Sequence, residues 1–423
     1  MIRTKTAIIL LGMLLLIGCQ KGESSKHLLS PLFFSETSTT TSNTKTPQNS
    51  PNDIPGLPNR PPLDNNPAPE SPTQACTTNV RAWFRNEFPS PSRTLTILDN
   101  GMVVSAPFGA VEDSISSVFF PIANGAAWNF GPQLTVVRSH YPVAAPISAT
   151  RVLLSGGFDF LSWDPLRSVE ILDTAGVPVF DPGTGEIVTD SRHLNTNPMN
   201  SLRGAHVLTV LADGRILATG GDIFNDTLSP AEIYDPTLDQ WTETGPVQER
   251  KIFHTATRLN DGRVMIVGGY GDDGKALKTT SIYNPQTNQW INGPDLHEVR
   301  NAHTATLLQD GRLLIAGGDA SINGITVYRN TMEIYNPNTN QWTLLSMPGP
   351  RTEHGAFLEV DGSVVIAGGR NSSLVKSTLR YSPTTDSWCH LADLPDGVGG
   401  FTEAPMILLP TGGATFGGGL SLR

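Results

Sequence analysis

The sequence predicts an all-β protein built from repeated four-stranded antiparallel sheets, and three observations carry that prediction. A glycine pair closes an apolar run six times, at Gly156-Gly157, Gly220-Gly221, Gly268-Gly269, Gly317-Gly318, Gly368-Gly369 and Gly418-Gly419. Four of those runs follow an Asp-Gly dipeptide: Asp213-Gly214, Asp261-Gly262, Asp310-Gly311 and Asp361-Gly362. A Tyr and then a Trp come next at fixed places, as in Tyr234/Trp241, Tyr283/Trp290, Tyr335/Trp342 and Tyr381/Trp388. A period of about fifty residues marks a repeat architecture.

The clearest copy shows how each element arises. Arg300-Asn-Ala-His303 leads into the alternating run Thr304-Ala-Thr-Leu-Leu308, the turn Asp310-Gly311, and then Arg312-Leu-Leu-Ile-Ala316. Period-2 alternation around Asp-Gly predicts a hairpin, because the turn needs positive φ and glycine adopts it freely. After the glycine pair and a variable loop come Met332-Glu-Ile-Tyr335, the turn Asn336-Pro337, and Gln341-Trp342. Proline fixes φ and removes a ladder donor, so it marks a second turn. The double glycine suits a sharp bend or a close backbone approach. Tyr and Trp supply apolar area for packing one sheet on the next. A lone sheet of this size cannot bury both faces, so the units must stack.

This double Gly, Tyr and Trp set resembles the kelch motif, and the resemblance covers residues 77–423. It implies a β-propeller with four-stranded blades around a central axis. The Trp slot is filled by Trp83, Trp128, Phe180 (or Val179), Trp241, Trp290, Trp342 and Trp388, which gives seven blades. Pro107-Phe108 replaces the glycine pair in the first. The last glycine pair has no Trp after it and Trp83 has no pair before it, so the two chain ends are expected to complete one blade and close the ring. The blade without a Trp carries a polar insertion at about 181–202, a natural place to look for contacts.

The chain begins with Arg3, Lys5 and the apolar run Ala7 to Ile17, too short to span a bilayer. Leu16-Ile17-Gly18-Cys19 looks like the lipobox of bacterial lipoproteins, which implies lipidation at Cys19; a general secretory signal ending in Cys is the plainer reading. The expected organisation is a signal peptide at 1–18, a lipidated Cys and tether at 19–75, and the propeller at 76–423. Residues 20–75 hold ten Pro and fifteen Ser or Thr, a composition that cannot bury enough surface to offset its ordering entropy. Gln20 after the Cys points to the outer membrane of the cell envelope, the periplasmic or surface face being open. Once Arg3 and Lys5 leave with the signal, 27 basic residues face 39 acidic ones, which argues against nucleic acid as a non-specific partner.

Of three cysteines, Cys76 and Cys389 remain for the folded part. Cys389 follows an outer-strand Trp and Cys76 opens the segment expected to close the ring, so a disulfide there would lock the closure. Two separate thiols are the alternative.

One polar pattern recurs: Arg203/His206, Arg250/His254, Arg300/His303 and Arg351/His354, with Arg138/His140 a looser copy. Two readings stand. A ring at the propeller mouth would offer guanidinium forks to carboxylate or sugar-acid groups. Alternatively, residues present in nearly every blade serve the fold. The histidines lack the close spacing of metal sites, so neither metal nor cofactor is expected. His193, His297 and His390 are scattered singletons. Kelch propellers include copper radical oxidases, which need a Cys–Tyr crosslink near the axis, and Cys389 sits beside an outer-strand Trp instead.

The expected function is therefore a non-enzymatic, monomeric binding module, anchored to the membrane by its lipid, that contacts a protein or carbohydrate through its loops. Phe160, Trp163 and His193 are candidate contacts, together with the loops Gly271–Gly274 and Asp319–Asn323. The alternative is a carbohydrate-active enzyme, like the sialic-acid mutarotases among kelch proteins, using the Arg/His ring.

Overall fold

A computed structural model describes Cys76, strands between 83 and 133, residues 134–394 except 137, 139–140, 160–161, 163, 177, 181–186, 191, 222–229 and 246–248, and strands between 406 and 422. All of these belong to the unit Pro67–Arg423. Met1–Asn66, with the expected signal peptide and Cys19, lies outside the described residues, as do Phe160 and Trp163.

Among the described residues are seven four-stranded antiparallel sheets and three two-stranded ones. In the fifth blade Thr304–Leu307, Leu313–Ala316, Thr331–Asn336 and Gln341–Ser346 lie in that spatial order. The first strands of successive blades lie side by side, from the blade at 92–133 round to the one at 406–422 and back. That closed ring puts first strands at the axis and fourth strands at the rim. The seventh blade is completed by the N-terminal strand, with Trp83 opposite Leu422, Phe84 opposite Ser421 and Arg85 opposite Leu420. The phase of the repeat slots predicts this joint closure, which completes the last blade from both ends of the chain.

The core lies between blades. Leu313–Ala316 is buried along its whole length, as are Val264–Val267 and Val364–Ala367. Strands covered on both faces read as unbroken apolar runs rather than alternating ones. Met265 and Ile282 of the fourth blade pack with Leu313, Ile315 and Tyr335 of the fifth. Leu314 and Ile334 of the fifth pack with Val364, Ile366 and Tyr381 of the sixth. Each such large side chain contributes about 1.5–3 kcal/mol.

The Asp-Gly hairpins differ in detail from a two-residue turn. The Leu308 amide donates to the Arg312 carbonyl (2.8 Å) and the Gly311 amide to the Leu308 carbonyl (3.0 Å), so three residues form the loop. Only Gly311, at φ +84°, takes the left-handed conformation; Asp310 instead accepts from the Arg312 amide at 3.0 Å. The third-to-fourth strand turns use a second device. The Tyr335 hydroxyl donates to Asn340 Oδ1 at 2.9 Å, and Asn340 sits at φ +56°, tolerable for its short polar side chain. Tyr335 and Trp342 then stack with ring centroids 5.2 Å apart.

The second blade corrects one expectation. Pro178–Phe180 is not its outer strand but pairs with Ile187–Asp190 in an inserted hairpin. The outer strand is His193–Leu194, and His193 lies opposite Leu172 at the register where Trp faces Tyr in other blades. Missing both aromatics, this blade gives no sequence mark of its fourth strand.

Candidate functional site

The recurring Arg/His pattern builds the blades. Arg203 and Arg300 are wholly buried, and Arg138 and Arg351 nearly so. Each points one amino group at the carbonyl of its own blade's first paired glycine: Arg138 to Gly156 (2.7 Å), Arg203 to Gly220 (2.8 Å), Arg300 to Gly317 (2.7 Å) and Arg351 to Gly368 (3.4 Å). In three blades a buried glutamate from the third strand completes the pair: Arg138–Glu170 at 2.9 Å, Arg203–Glu232 at 2.8 Å and Arg300–Glu333 at 2.8 Å. Arg250 is misassigned by sequence. The buried cation of the fourth blade is Lys251, which pairs with Glu249 at 3.3 Å, while Arg250 bonds Asp272 at 2.7 Å in the loops. The Arg-Lys dipeptide hides this one-residue slip.

The histidines stitch neighbouring blades. His206 Nε2 lies 2.8 Å from Ser155 Oγ, His254 Nε2 3.0 Å from Thr219 Oγ1, His303 Nε2 3.0 Å from Thr255 Oγ1 and His354 Nε2 2.9 Å from Thr304 Oγ1, each partner on the preceding blade. The first glycine of each pair makes room for the ring. A Cβ on Gly317 (φ +61°) would stand 2.7 Å from His354 Cε1 and 2.4 Å from the Arg351 carbonyl, which a side chain cannot do. Burial first, and then the neighbouring cations, hold His254 and His354 down at about 3 and His206 and His303 well below the usual imidazole range. All four are neutral at physiological pH. Arg203, Arg300, Arg351 and the four histidines are thus buried within and between the blades, whereas Arg250 is only half-buried.

His193 is corrected as well. It lies in an edge strand and not in a loop, with its Nε2 3.0 Å from Glu170. Burial raises the Glu170 carboxyl, yet the bonds from His193 and Thr135 and the charge of Arg138 outweigh it and hold it at about 2. His297 likewise meets Glu333, through its amide at 2.8 Å and its ring at 2.9 Å.

A second set lies beside the Arg/His set, with Ala205 and Glu353 buried and Tyr141, Phe253 and Ala302 half-buried. The residue just before each histidine takes a left-handed backbone: Ala205 (φ +56°), Phe253 (+52°), Ala302 (+49°) and Glu353 (+55°), with Tyr141 (+51°) in the second blade. These positions precede the axial strands, so they ring one mouth of the propeller. They are linked around it, the Ala302 amide donating to the Phe253 carbonyl (3.1 Å) and the Glu353 amide to the Ala302 carbonyl (3.0 Å). Bulky residues seldom accept this conformation. Tyr141 and Phe253 nonetheless meet edge to face at 5.1 Å, across the small Ala205 of the intervening blade. Phe158, buried against Gly204, extends the cluster to Tyr141 at 6.2 Å.

The other half of the mouth is polar. Glu353 holds Arg370 in a two-pronged ion pair of 2.6 and 2.9 Å. Asp319 accepts from Asn301 Nδ2 at 2.9 Å, and its carboxyl is raised by burial, against the bonds from Thr352 and Asn301 and the charges of Arg370 and Arg329. From Asp319 a hairpin rises, Asp319–Ile322 paired with Ile325–Tyr328 around Asn323-Gly324, with Ile325 exposed at its tip. The loop at Asp319 was legible as a candidate. The left-handed ring was not, because its members share no residue type. Among the described residues no group of three or more His, Cys, Asp or Glu is placed to hold a metal ion.

Cys76 and Cys389 are joined by a disulfide, their Cα atoms 5.1 Å apart.

The comparisons agree with this architecture. A family profile described as the KLHDC2/KLHL20/DRC7 Kelch-repeats domain matches residues 204–397. Kelch-like protein 26 of Danio rerio is 32% identical over 226 residues, which cover 52% of this chain and 36% of that protein. Beta-scruin of Limulus polyphemus is 26% identical over 186 residues, 44% of this chain and 19% of that protein. The matched part thus spans 36% and 19% of these two curated relatives. Among solved structures, YjhT aligns with a TM-score of 0.51 at 15% identity, covering 73% of this chain and 99% of that one. A fungal alcohol oxidase in complex with copper aligns with a TM-score of 0.59 at 14% identity, over 79% of this chain and 72% of that one. At such identities the two structures support the fold alone. Blade count, ladder register and repeat slots all agree, and the chain carries a kelch propeller domain.

Proposed function

We propose that this protein is a lipid-anchored binding module of the bacterial cell envelope, taking a protein or glycan partner on the mouth where the glycine pairs turn. The observation that supports this most is the division of that mouth. Tyr141 and Phe253 form an aromatic platform on one side, and the Glu353–Arg370 pair with Asp319 and Asn301 forms a polar wall on the other. An aromatic face with adjacent charged and amide groups suits a segment that is apolar on one side and hydrogen-bonding on the other. Burial of Arg203, Arg300, Arg351 and the four histidines favours a binding role over a sugar-processing one.

Binding of the propeller region to solubilised envelope proteins and to an array of envelope glycans tests the reading. Phe253→Ala and Arg370→Ala each weaken capture at least tenfold while the melting temperature stays close to that of the parent. Capture indifferent to both changes removes this mouth as the binding face. Anchoring is tested separately: Cys19→Ala moves the protein from the membrane fraction to the soluble one. Protease shaving of intact cells, cutting between Gln20 and Ala75, then reports which face of the envelope holds the propeller.

A further inference from the structure

The closing strand of the ring is short, and it is the N-terminal strand of its blade. Trp83–Arg85 pairs over three positions, whereas the outer strand of the sixth blade, Ser387–Leu391, pairs over five with Thr378–Ser382. A ladder of three pairs is held by few backbone bonds and opens locally more readily than one of five. Cys76 lies seven residues before that strand, and it is not attached to the blade that the strand completes. It is bonded to Cys389, in the middle of the sixth blade's outer strand, and its amide donates to the His390 carbonyl at 3.1 Å.

We infer that the Cys76–Cys389 disulfide is the point at which the domain is mounted on its tether, so that tension arriving along residues 20–75 passes into the sixth blade and bypasses the closing strand. The mechanical part rests on the anchored reading above; the clamping of the closing strand does not. Backbone tension reaches Cys76, crosses the sulfur–sulfur bond, and enters a strand continuous in both directions and paired along its length with Thr378–Ser382. The same crosslink spans a sequence separation of 313 residues. It keeps the closing strand close to its place whenever the three-pair ladder opens, which favours reclosure over exchange with another chain.

Two measurements on the full chain test this. Hydrogen exchange compares the oxidised protein with Cys389→Ser and with the wild type after reduction. Peptides containing Trp83–Arg85 and Leu420–Leu422 exchange at least tenfold faster without the disulfide, while Val264–Val267 keeps its protection. Unchanged exchange in the closing strand overturns the inference, and so does loss of protection throughout the ring, since the strand is then not a unit held by the crosslink. The second measurement pulls between the tether and a handle placed in the Asp261-Gly262 turn. Cys389→Ser gives an early, low-force step that frees the chain between Cys76 and Ser92, up to about 50 Å at ~3.4 Å per residue. The oxidised wild type lacks that step. Identical traces from both proteins refute the mounting role. Failure of Cys19→Ala to release the protein from membranes removes the anchor and leaves the exchange result standing.

Discussion

The fifth and sixth blades have the same backbone plan and solve one electrostatic problem differently. In the fifth, Arg300 is buried against Glu333, and that carboxylate also accepts the amides of His297 (2.8 Å) and Glu298 (3.2 Å). In the sixth, Arg351 is equally buried, but Leu379 stands where Glu333 stood, and its bonds go to neutral groups: the Gly368 and Ser377 carbonyls and Ser377 Oγ. The loop explains the substitution. Pro348 and Gly349 replace His297 and Glu298, and a proline has no amide to offer a carboxylate. Burial, opposed by the charge of Asp393, pushes the Arg351 guanidinium down to about 10. Arg138, Arg203, Arg300 and Arg351 therefore share a bond to the glycine-pair carbonyl but not a particular counter-ion. The fourth blade, where Lys251 meets Glu249 from the loop, makes the same point.

The largest expected difference is in removal of the cation. Arg300→Met strands the buried Glu333 and costs about 3–5 kcal/mol. Arg351→Met leaves no charge behind and shifts stability by about 1 kcal/mol or less, in either direction. Urea titration of both variants measures this, and equal losses would falsify the distinction between the blades. Next comes restoration of the missing acid. Leu379→Glu costs about 1–2 kcal/mol in the parent but more than about 3 in an Arg351→Met background, a coupling near 2 kcal/mol in a double-mutant cycle. A coupling close to zero means that the two side chains do not meet.

The buried histidines are common to both blades and set the pH response. Their folded pKa values lie below the unfolded value of about 6.5, so the unfolded chain binds protons that the folded one does not. Stability is whole above about pH 6.5 and falls as the pH drops towards 3, by up to about 1.4 kcal/mol per pH unit for each histidine. His303→Gln and His354→Gln each reduce that slope by one proton, as read from denaturation at several pH values. A slope unchanged by either places that histidine's proton uptake elsewhere. The smallest effect belongs to the tyrosines. Tyr335→Phe loses a bond to an amide and Tyr381→Phe one to the Asp386 carboxylate, about 1 kcal/mol and slightly more respectively.

The sequence was a good guide where a residue acts on its own backbone. Asp-Gly, Asn-Pro and the glycine pairs mark turns because φ is a local property, and Tyr and Trp mark the third and fourth strands because they pack on each other seven residues apart. It misled where the signal needed a neighbour. Arg250 and Lys251 are adjacent, and only the packing of the folded chain buries the second beside Glu249 and sends the first to Asp272. Phe180 matched the outer-strand slot by residue type, yet the ladder gives that place to His193.

By itself, then, the chain determined a closed seven-bladed ring, since strand period, turn chemistry and slot phase are written locally and repeat often enough to be counted. The tertiary structure alone decided that the Arg/His ring faces inward, because burial depends on what the adjacent blade places against it. It also decided the left-handed ring of Tyr141, Ala205, Phe253, Ala302 and Glu353. Those five share no side-chain chemistry, only a left-handed backbone imposed by the crossing from one blade to the next, and a property of that kind leaves no residue pattern to read.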